Sequence, residues 1–102
     1  MIHVLAFITA QPGKRAQLLA EFRKIIPAVH AEAGCIEYGP ATDTPEMGPI
    51  QTPLGPDGFA VVEKWETPEH LMAHAVAPHM KEYGARTKDL VASRVIHVLS
   101  PA

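Results

Sequence analysis

The sequence predicts an α+β fold of the ferredoxin-like type, a split β-α-β-β-α-β arrangement in which both helices cover one face of an antiparallel sheet. Two observations support this prediction. Extended segments rich in β-branched and aromatic residues lie near both ends of the chain and in its middle. Amphipathic segments separate them in the order that this plan requires. A length of 102 residues allows one core, so we expect a single domain over residues 1–102.

The first strand and the first helix occupy the opening third of the chain. Residues 2–10 show no helical periodicity, and the turn sequence QPG follows at 11–13. From Lys14 to Ala31 apolar residues recur every three or four positions, which predicts one buried helical stripe. Pro27 lies inside that stripe and is expected to kink or split the helix. Gly34 is then well placed for the left-handed conformation that follows a helix.

Two further strands follow, separated by an irregular segment. The sequence CIEYGPAT, which begins at Cys35, alternates in the manner of a strand. Residues 43–58 are rich in proline and lack periodicity, which predicts a long excursion and a candidate lid. FAVVEKWE at 59–66 is the clearest strand. Thr67 and Pro68 then match the N-cap and the first position of a helix.

The second helical region is predicted in two pieces because Pro78 interrupts it. The segment SRVIHVLSPA, which begins at Ser93, predicts the last strand.

The first strand is apolar on both of its faces. Ile2, Val4, Ala6 and Ile8 lie on one face, and Leu5 and Phe7 lie on the other. Because helices cover only one face of this sheet, the other face needs a partner. Packing two such sheets face to face would bury both apolar sides, which predicts a homodimer through the open sheet face with a pocket near each sheet.

The composition argues against several classes of partner. Lys and Arg number 9 against 11 Asp and Glu, and no basic cluster lies beside aromatic residues, so we expect no nucleic-acid partner. No segment reaches the length of a membrane span, so we expect no membrane partner. The lone Cys35 fits a reducing compartment, and we expect a cytoplasmic protein.

Four segments carry a resemblance to a known family. They are PGK at 12–14, EAGCIEY at 32–38, EKWETPEHLMAH at 63–74 and PHM at 78–80. In their content and order the chain resembles the antibiotic-biosynthesis-monooxygenase domains of the dimeric α+β barrel superfamily, which include small quinol monooxygenases. The resemblance implies a pocket between the sheet and the second helix. It also implies that His74, His79, Trp65 and Tyr38 are pocket residues.

The haem-degrading branch of that superfamily has a different residue pattern. It carries an Asn on the first strand, a Trp on the second helix and a His further along that helix. This chain has no asparagine, Phe7 stands where the Asn is expected, and its one tryptophan, Trp65, lies on the third predicted strand. We therefore expect no haem and no other cofactor.

Oxygenation of an aromatic substrate without a cofactor needs a base, a dry pocket and a hydrogen-bond donor. A histidine suits the base, since its ordinary pKa of about 6.5 lets it accept a proton near neutral pH. His74 is the first candidate and His79 the second. Trp65 or Phe7 is the candidate apolar wall, and Tyr38 is the candidate donor. The activity that the resemblance implies is therefore oxidation of a small quinol or phenol by molecular oxygen.

The spacing of the histidines in HLMAHAVAPHM bears on metal binding. On a straight helix His70 and His74 lie about 40° apart, whereas His79 points about 140° away from His74. Three ligands from one straight helix are excluded, and we expect no metal, although Pro78 could redirect His79. By periodicity alone His74 is a surface residue, and only the family resemblance turns it toward a pocket.

Two other functions fit the same pattern. One is a non-catalytic, ligand-binding or stress-related dimer that uses the pocket without turnover. The other is an isomerase or lyase that uses the same base without oxygen.

Overall fold

The structure is a computed structural model that describes all 102 residues. Its elements in chain order are β1 (Ile2–Ala10), α1 (Arg15–His30), β2 (Cys35–Ala41), a short 3₁₀ helix (Gly48–Ile50), β3 (Gly58–Trp65), α2 (Pro68–Ala75), α3 (Pro78–Thr87) and β4 (Val91–Leu99). The strands form one sheet in the order β2-β3-β1-β4, and every neighbouring pair is antiparallel. The predicted α+β ferredoxin-like fold is confirmed, with the second helical region divided into α2 and α3.

Helix α1 runs without interruption through Pro27, so the expected split does not occur. Its buried stripe consists of Leu18, Leu19, Phe22, Ile25 and Val29. Each such side chain stabilises the fold by about 1.5–3 kcal/mol, whereas a proline inside a helix costs about 3 kcal/mol. The packing of the stripe therefore outweighs the lost hydrogen bond. Gly34 follows the helix with φ of 79°, in the left-handed region predicted for it.

The two faces of the sheet differ in what covers them. On β1 the even-numbered residues from Ile2 to Ala10 are buried in the core beneath the helices. The intervening residues pair with side chains of β3 and β4 on the opposite face. We call this surface the open sheet face, and its apolar members include Leu5, Phe7, Val62 and Val95. Dimerisation through it stays a prediction.

The break between α2 and α3 changes the direction of the chain. Thr67 begins α2 as predicted, since its Oγ1 accepts a 3.2 Å hydrogen bond from the backbone N–H of His70. Helix α2 ends at Ala75, and Ala77 is extended with ψ of 144°, the conformation favoured before a proline. Pro78 then occupies the first turn of α3. Helix α3 therefore starts in a new direction.

Hydrogen bonds within the excursion between β2 and β3 join its beginning to residues near its end. The carboxylate of Asp43 accepts hydrogen bonds from the backbone N–H of Leu54 at 2.8 Å and of Gly55 at 3.0 Å. These two bonds hold the pKa of Asp43 below its ordinary value. Nη1 of Arg15 donates to the carbonyl of Gly55 at 3.1 Å and so joins the excursion to α1.

None of the helices combines the length and the apolar character needed to cross a membrane.

Candidate active site

A cavity of about 470 Å³ lies between the helix-covered face of the sheet and the helices α2 and α3. Twelve of its 18 lining residues are hydrophobic, so it suits a largely apolar ligand. Tyr38 on β2, Glu63 on β3 and His74 on α2 contribute polar groups to its wall. Its other polar lining residues are Tyr83, Thr87, Lys88 and Arg94. The excursion at 43–58 contributes no residue to this wall, so the candidate lid does not cover the cavity.

His74 is a buried residue with only 6% of its surface exposed. Its ring centroid lies 4.8 Å from that of Trp65 and 5.3 Å from that of Tyr38. The periodicity of α2 predicted that His74 faces solvent. Instead, Met72 and Val76 are exposed, at 63% and 62%. The surface position expected from periodicity is therefore wrong. A pocket of aromatic rings and a carboxylate partner hold the imidazole inside.

Glu32 binds two histidines through one oxygen atom. Its Oε2 lies 2.8 Å from Nδ1 of His74 and 2.8 Å from Nε2 of His79. The turn at Pro78 brings His79 to this oxygen, so the angle calculated for a straight helix does not apply. The side chains of Glu32 and His79 are 15% and 28% exposed, so both reach solvent at one edge of the site.

The contact with Glu32 fixes which nitrogen of His74 carries the proton. A carboxylate only accepts hydrogen bonds, so the Nδ1–H of His74 donates to it. The lone pair of the neutral ring then lies on Nε2. This nitrogen makes no hydrogen bond within the chain. Every buried side-chain nitrogen or oxygen of the chain does have a hydrogen-bond partner, so Nε2 is not one of the buried atoms. Nε2 is therefore accessible, and since His74 lines the cavity, it is the atom that can meet a ligand there.

Glu63 is a buried carboxylate that the sequence argument did not select. Nε1 of Trp65 donates a 2.9 Å hydrogen bond to its Oε1. Burial raises the pKa of Glu63, and the Trp65 hydrogen bond and the nearby His74 reduce that rise. A signal was present in the strand pattern, because Glu63 shares a face with Val61 and Trp65, both of which are buried.

Tyr38 lies deep in the core beside the cavity. Its ring stacks on Phe22 with centroids 5.3 Å apart and contacts His74 edge-on. Burial raises the pKa of its hydroxyl far above the ordinary value. The group therefore stays protonated at neutral pH and can donate a hydrogen bond.

The remaining candidates are placed differently. Trp65 is fully buried behind His74 and does not line the cavity. Phe7 lies on the open sheet face, where its ring meets that of His97 at 6.0 Å, because strand alternation turns it away from Ala6 and Ile8. The structure thus brings His74, His79, Trp65 and Tyr38 together and leaves Phe7 apart.

Comparisons with known proteins agree with the fold and show the family. The family described as "Antibiotic biosynthesis monooxygenase" matches residues 1–86. A protein named "Probable quinol monooxygenase YgiN", from Escherichia coli (strain K12), is 38% identical over 103 residues, which cover 99% of this chain and 98% of that protein.

Solved structures resemble the whole chain. PA3566 from Pseudomonas aeruginosa matches with a TM-score of 0.82 and 25% identity, covering 99% of this chain and 93% of that one. Rv0793 from Mycobacterium tuberculosis matches with a TM-score of 0.80 and 22% identity, covering 99% and 94%, and bears on the fold alone. Because the family match spans most of the chain and the similarity to the E. coli protein spans nearly all of it, this chain belongs to the antibiotic biosynthesis monooxygenase family.

Proposed function

We propose that this protein is a monooxygenase that needs no cofactor and oxidises a small quinol or phenol with molecular oxygen, with His74 as the base. The observation that carries the proposal is the 2.8 Å contact between Oε2 of Glu32 and Nδ1 of His74. It leaves the lone pair of Nε2 available to the largely apolar cavity that His74 lines. Membership of the family and the printed name of the E. coli relative support the choice of reaction.

The first step is removal of a proton from the substrate hydroxyl by Nε2 of His74. The resulting imidazolium is stabilised by the Glu32 carboxylate, in the way that a carboxylate stabilises the histidine of other acid–base pairs. The electron-rich phenolate or quinolate then reacts with oxygen. With a quinol, one oxygen atom enters the ring to give a hydroxyquinone and the other leaves as water, and the substrate supplies all four electrons.

The rest of the cavity favours this chemistry. Twelve of its 18 lining residues are hydrophobic, and a substrate that displaces water from such a site strengthens the electrostatic interactions within it. The Tyr38 hydroxyl, which burial keeps protonated, can donate to the oxygen where negative charge develops. The Trp65 ring packs against His74 with centroids 4.8 Å apart, and the Glu63 carboxylate is close enough to His74 for the two to interact electrostatically.

We also propose that the protein acts as a homodimer through the open sheet face. Leu5 and Phe7 on β1 are only partly buried in the single chain, and Val95 on β4 is 53% exposed. Apolar side chains on one flat sheet face favour packing against a second sheet.

Oxygen uptake on a panel of hydroquinones tests the activity. We expect the wild type to consume oxygen, and ¹⁸O₂ to leave one labelled atom in the product and one in water. His74→Gln should lower the rate by roughly 10²–10⁴-fold, the usual effect of removing a general base. His70→Gln is the matched control, because His70 lies one turn earlier on α2 and bonds to Thr67 instead of Glu32.

Three results would contradict this assignment in different ways. Unchanged turnover in His74→Gln would remove His74 as the base. Saturable ligand binding with no oxygen consumption would favour the non-catalytic reading. Product formation under nitrogen would favour an isomerase or lyase.

A further inference from the structure

We propose that Glu32, His74 and His79 form a binding site for a divalent transition-metal ion, for which Zn²⁺ is the test ion. Each residue offers one ligand atom, and the three atoms all lie within 4.8 Å of one another. The carboxylate comes from the turn after α1, one imidazole comes from α2, and the other comes from the first turn of α3. Two imidazoles and a carboxylate are a ligand set that Zn²⁺ accepts, with a further position left for water.

The ligand atoms need only small movements to hold the ion. Bonds of about 2.0–2.1 Å in tetrahedral geometry would place ligand atoms about 3.4 Å apart. Oε2 of Glu32 now lies 2.8 Å from each ring nitrogen, and the two nitrogens are at most 4.8 Å apart. Shifts of this size are available to a carboxylate on a turn and to a histidine at the start of a helix.

The ion can reach this site without entering the cavity. The side chains of Glu32 and His79 are 15% and 28% exposed, whereas that of His74 is 7% exposed. Neither Glu32 nor His79 lines the cavity. The three residues therefore offer one buried ligand and two that meet solvent.

Metal binding at this position would move the proton of the neutral His74 ring from Nδ1 to Nε2. Without metal, Nδ1–H of His74 and Nε2–H of His79 both donate to Glu32. An ion bound there takes the place of both protons, since a metal ligand must offer a lone pair. The neutral ring of His74 then carries its proton on Nε2. The nitrogen available to the cavity becomes a donor and can no longer act as a base.

The consequence for catalysis rests on the proposed function, but the binding site does not. We expect one Zn²⁺ ion to bind to each chain, whether or not the protein turns over a quinol. The proposed function adds that saturating Zn²⁺ abolishes oxygen uptake.

Isothermal titration of chelator-treated protein with ZnCl₂ is the primary test. We expect one ion per chain in the wild type and in His70→Gln, with affinity at least tenfold weaker in Glu32→Gln and His79→Gln. His70→Gln is the matched control because it removes a neighbouring histidine that lies outside the three-residue set. Equal affinity in all four proteins, or no one-to-one binding by the wild type, would overturn the proposal.

Nitrogen NMR of the histidine rings provides a second readout on the wild type, which needs no variant to fold. Zn²⁺ should shift Nδ1 of His74 and Nε2 of His79 while leaving the ring of His70 unchanged. Shifts confined to other histidines would place the ion elsewhere and reject the site. If Zn²⁺ binds as expected but no substrate is turned over in its absence, the metal site stands and the proposed oxygenase activity fails.

Discussion

Nε1 of Trp65 donates a 2.9 Å hydrogen bond to Oε1 of Glu63, two residues earlier on the same strand, and both side chains are buried. This pair places a carboxylate where a purely structural strand would carry an apolar residue. Burial disfavours its ionised form and raises the pKa of Glu63. Glu63 therefore links the stability of the fold to pH.

Glu63→Gln should raise the thermal stability, and by more at pH 7.5 than at pH 4. In the unfolded chain the pKa of Glu63 has its ordinary value of 4.5. The folded chain retains the Glu63 proton at higher pH values, where the unfolded chain has lost it. The stability contributed by that proton is fully present below pH 4.5 and is lost as the pH rises through the raised pKa of Glu63 in the folded chain. Glutamine carries no charge and still offers an acceptor to Trp65. Thermal melts at both pH values measure the difference.

The matched control for this prediction is Glu82→Gln on the exposed side of α3. A pH-independent effect of Glu63→Gln, equal to that of Glu82→Gln, would contradict the role assigned to burial.

Glu32→Gln should reduce oxygen uptake by roughly 10²–10⁴-fold, because a carboxamide can turn a donor toward Nδ1 and reverse the tautomer of His74. Nitrogen NMR should then show the proton of His74 moving from Nδ1 to Nε2. A merely structural role for Glu32 would lower the melting temperature and leave the tautomer unchanged. Glu82→Gln again serves as the control for loss of one carboxylate.

Gly34→Ala should destabilise the fold more than Gly13→Ala does. Both glycines have positive φ, 79° and 76°, so each substitution carries a left-handed penalty of about 1–2 kcal/mol. A Cβ at Gly34 would overlap Cγ of His70, whereas a Cβ at Gly13 would meet nothing within 4 Å. The clash adds about 1–3 kcal/mol, which chemical denaturation can resolve.

The His70→Ala background separates the two contributions. Removing the ring should recover part of the additional cost of Gly34→Ala and none of the cost of Gly13→Ala. If both glycine variants lose the same free energy of unfolding in both backgrounds, then no clash with His70 contributes to the cost of Gly34→Ala.

Val95→Asp should weaken dimerisation, and Val98→Asp should leave it intact. The two valines lie on the same strand and are equally exposed, at 53% each. Val95 pairs with Phe7 on the open sheet face, whereas Val98 pairs with Val4 on the helix-covered face. Sedimentation equilibrium measures the result. Dimers of equal strength in both variants would exclude the open sheet face as the interface.

The sequence predicted most of the fold because its signals are local. Runs of β-branched and aromatic residues identified β1 and β3, and Thr67 and Gly34 carry turn chemistry that depends on a few neighbouring residues. The start of β4 at Val91, ahead of the predicted Ser93, was missed because this edge strand is mostly exposed and lacks a clear alternation of burial.

The site was harder to predict because it depends on distant contacts. Glu32 lies 42 positions before His74 and 47 before His79, and no periodicity relates them. The direction of α2 was also ambiguous, because a helix of 8 residues has too few apolar positions to define one face. Periodicity alone predicted a surface position for His74, whereas the folded chain buries it in the wall of the cavity.

The bonds from Leu54 and Gly55 to Asp43 close the excursion into a ring that lies outside the cavity wall. Doubling the length of such a closed segment costs only about 0.6 kcal/mol in chain entropy. Additional residues inserted near Ile50, which is 81% exposed, would therefore leave β2, β3 and the histidines in place. We therefore expect that a reporter sequence or a small domain inserted at this position leaves the fold and the cavity intact.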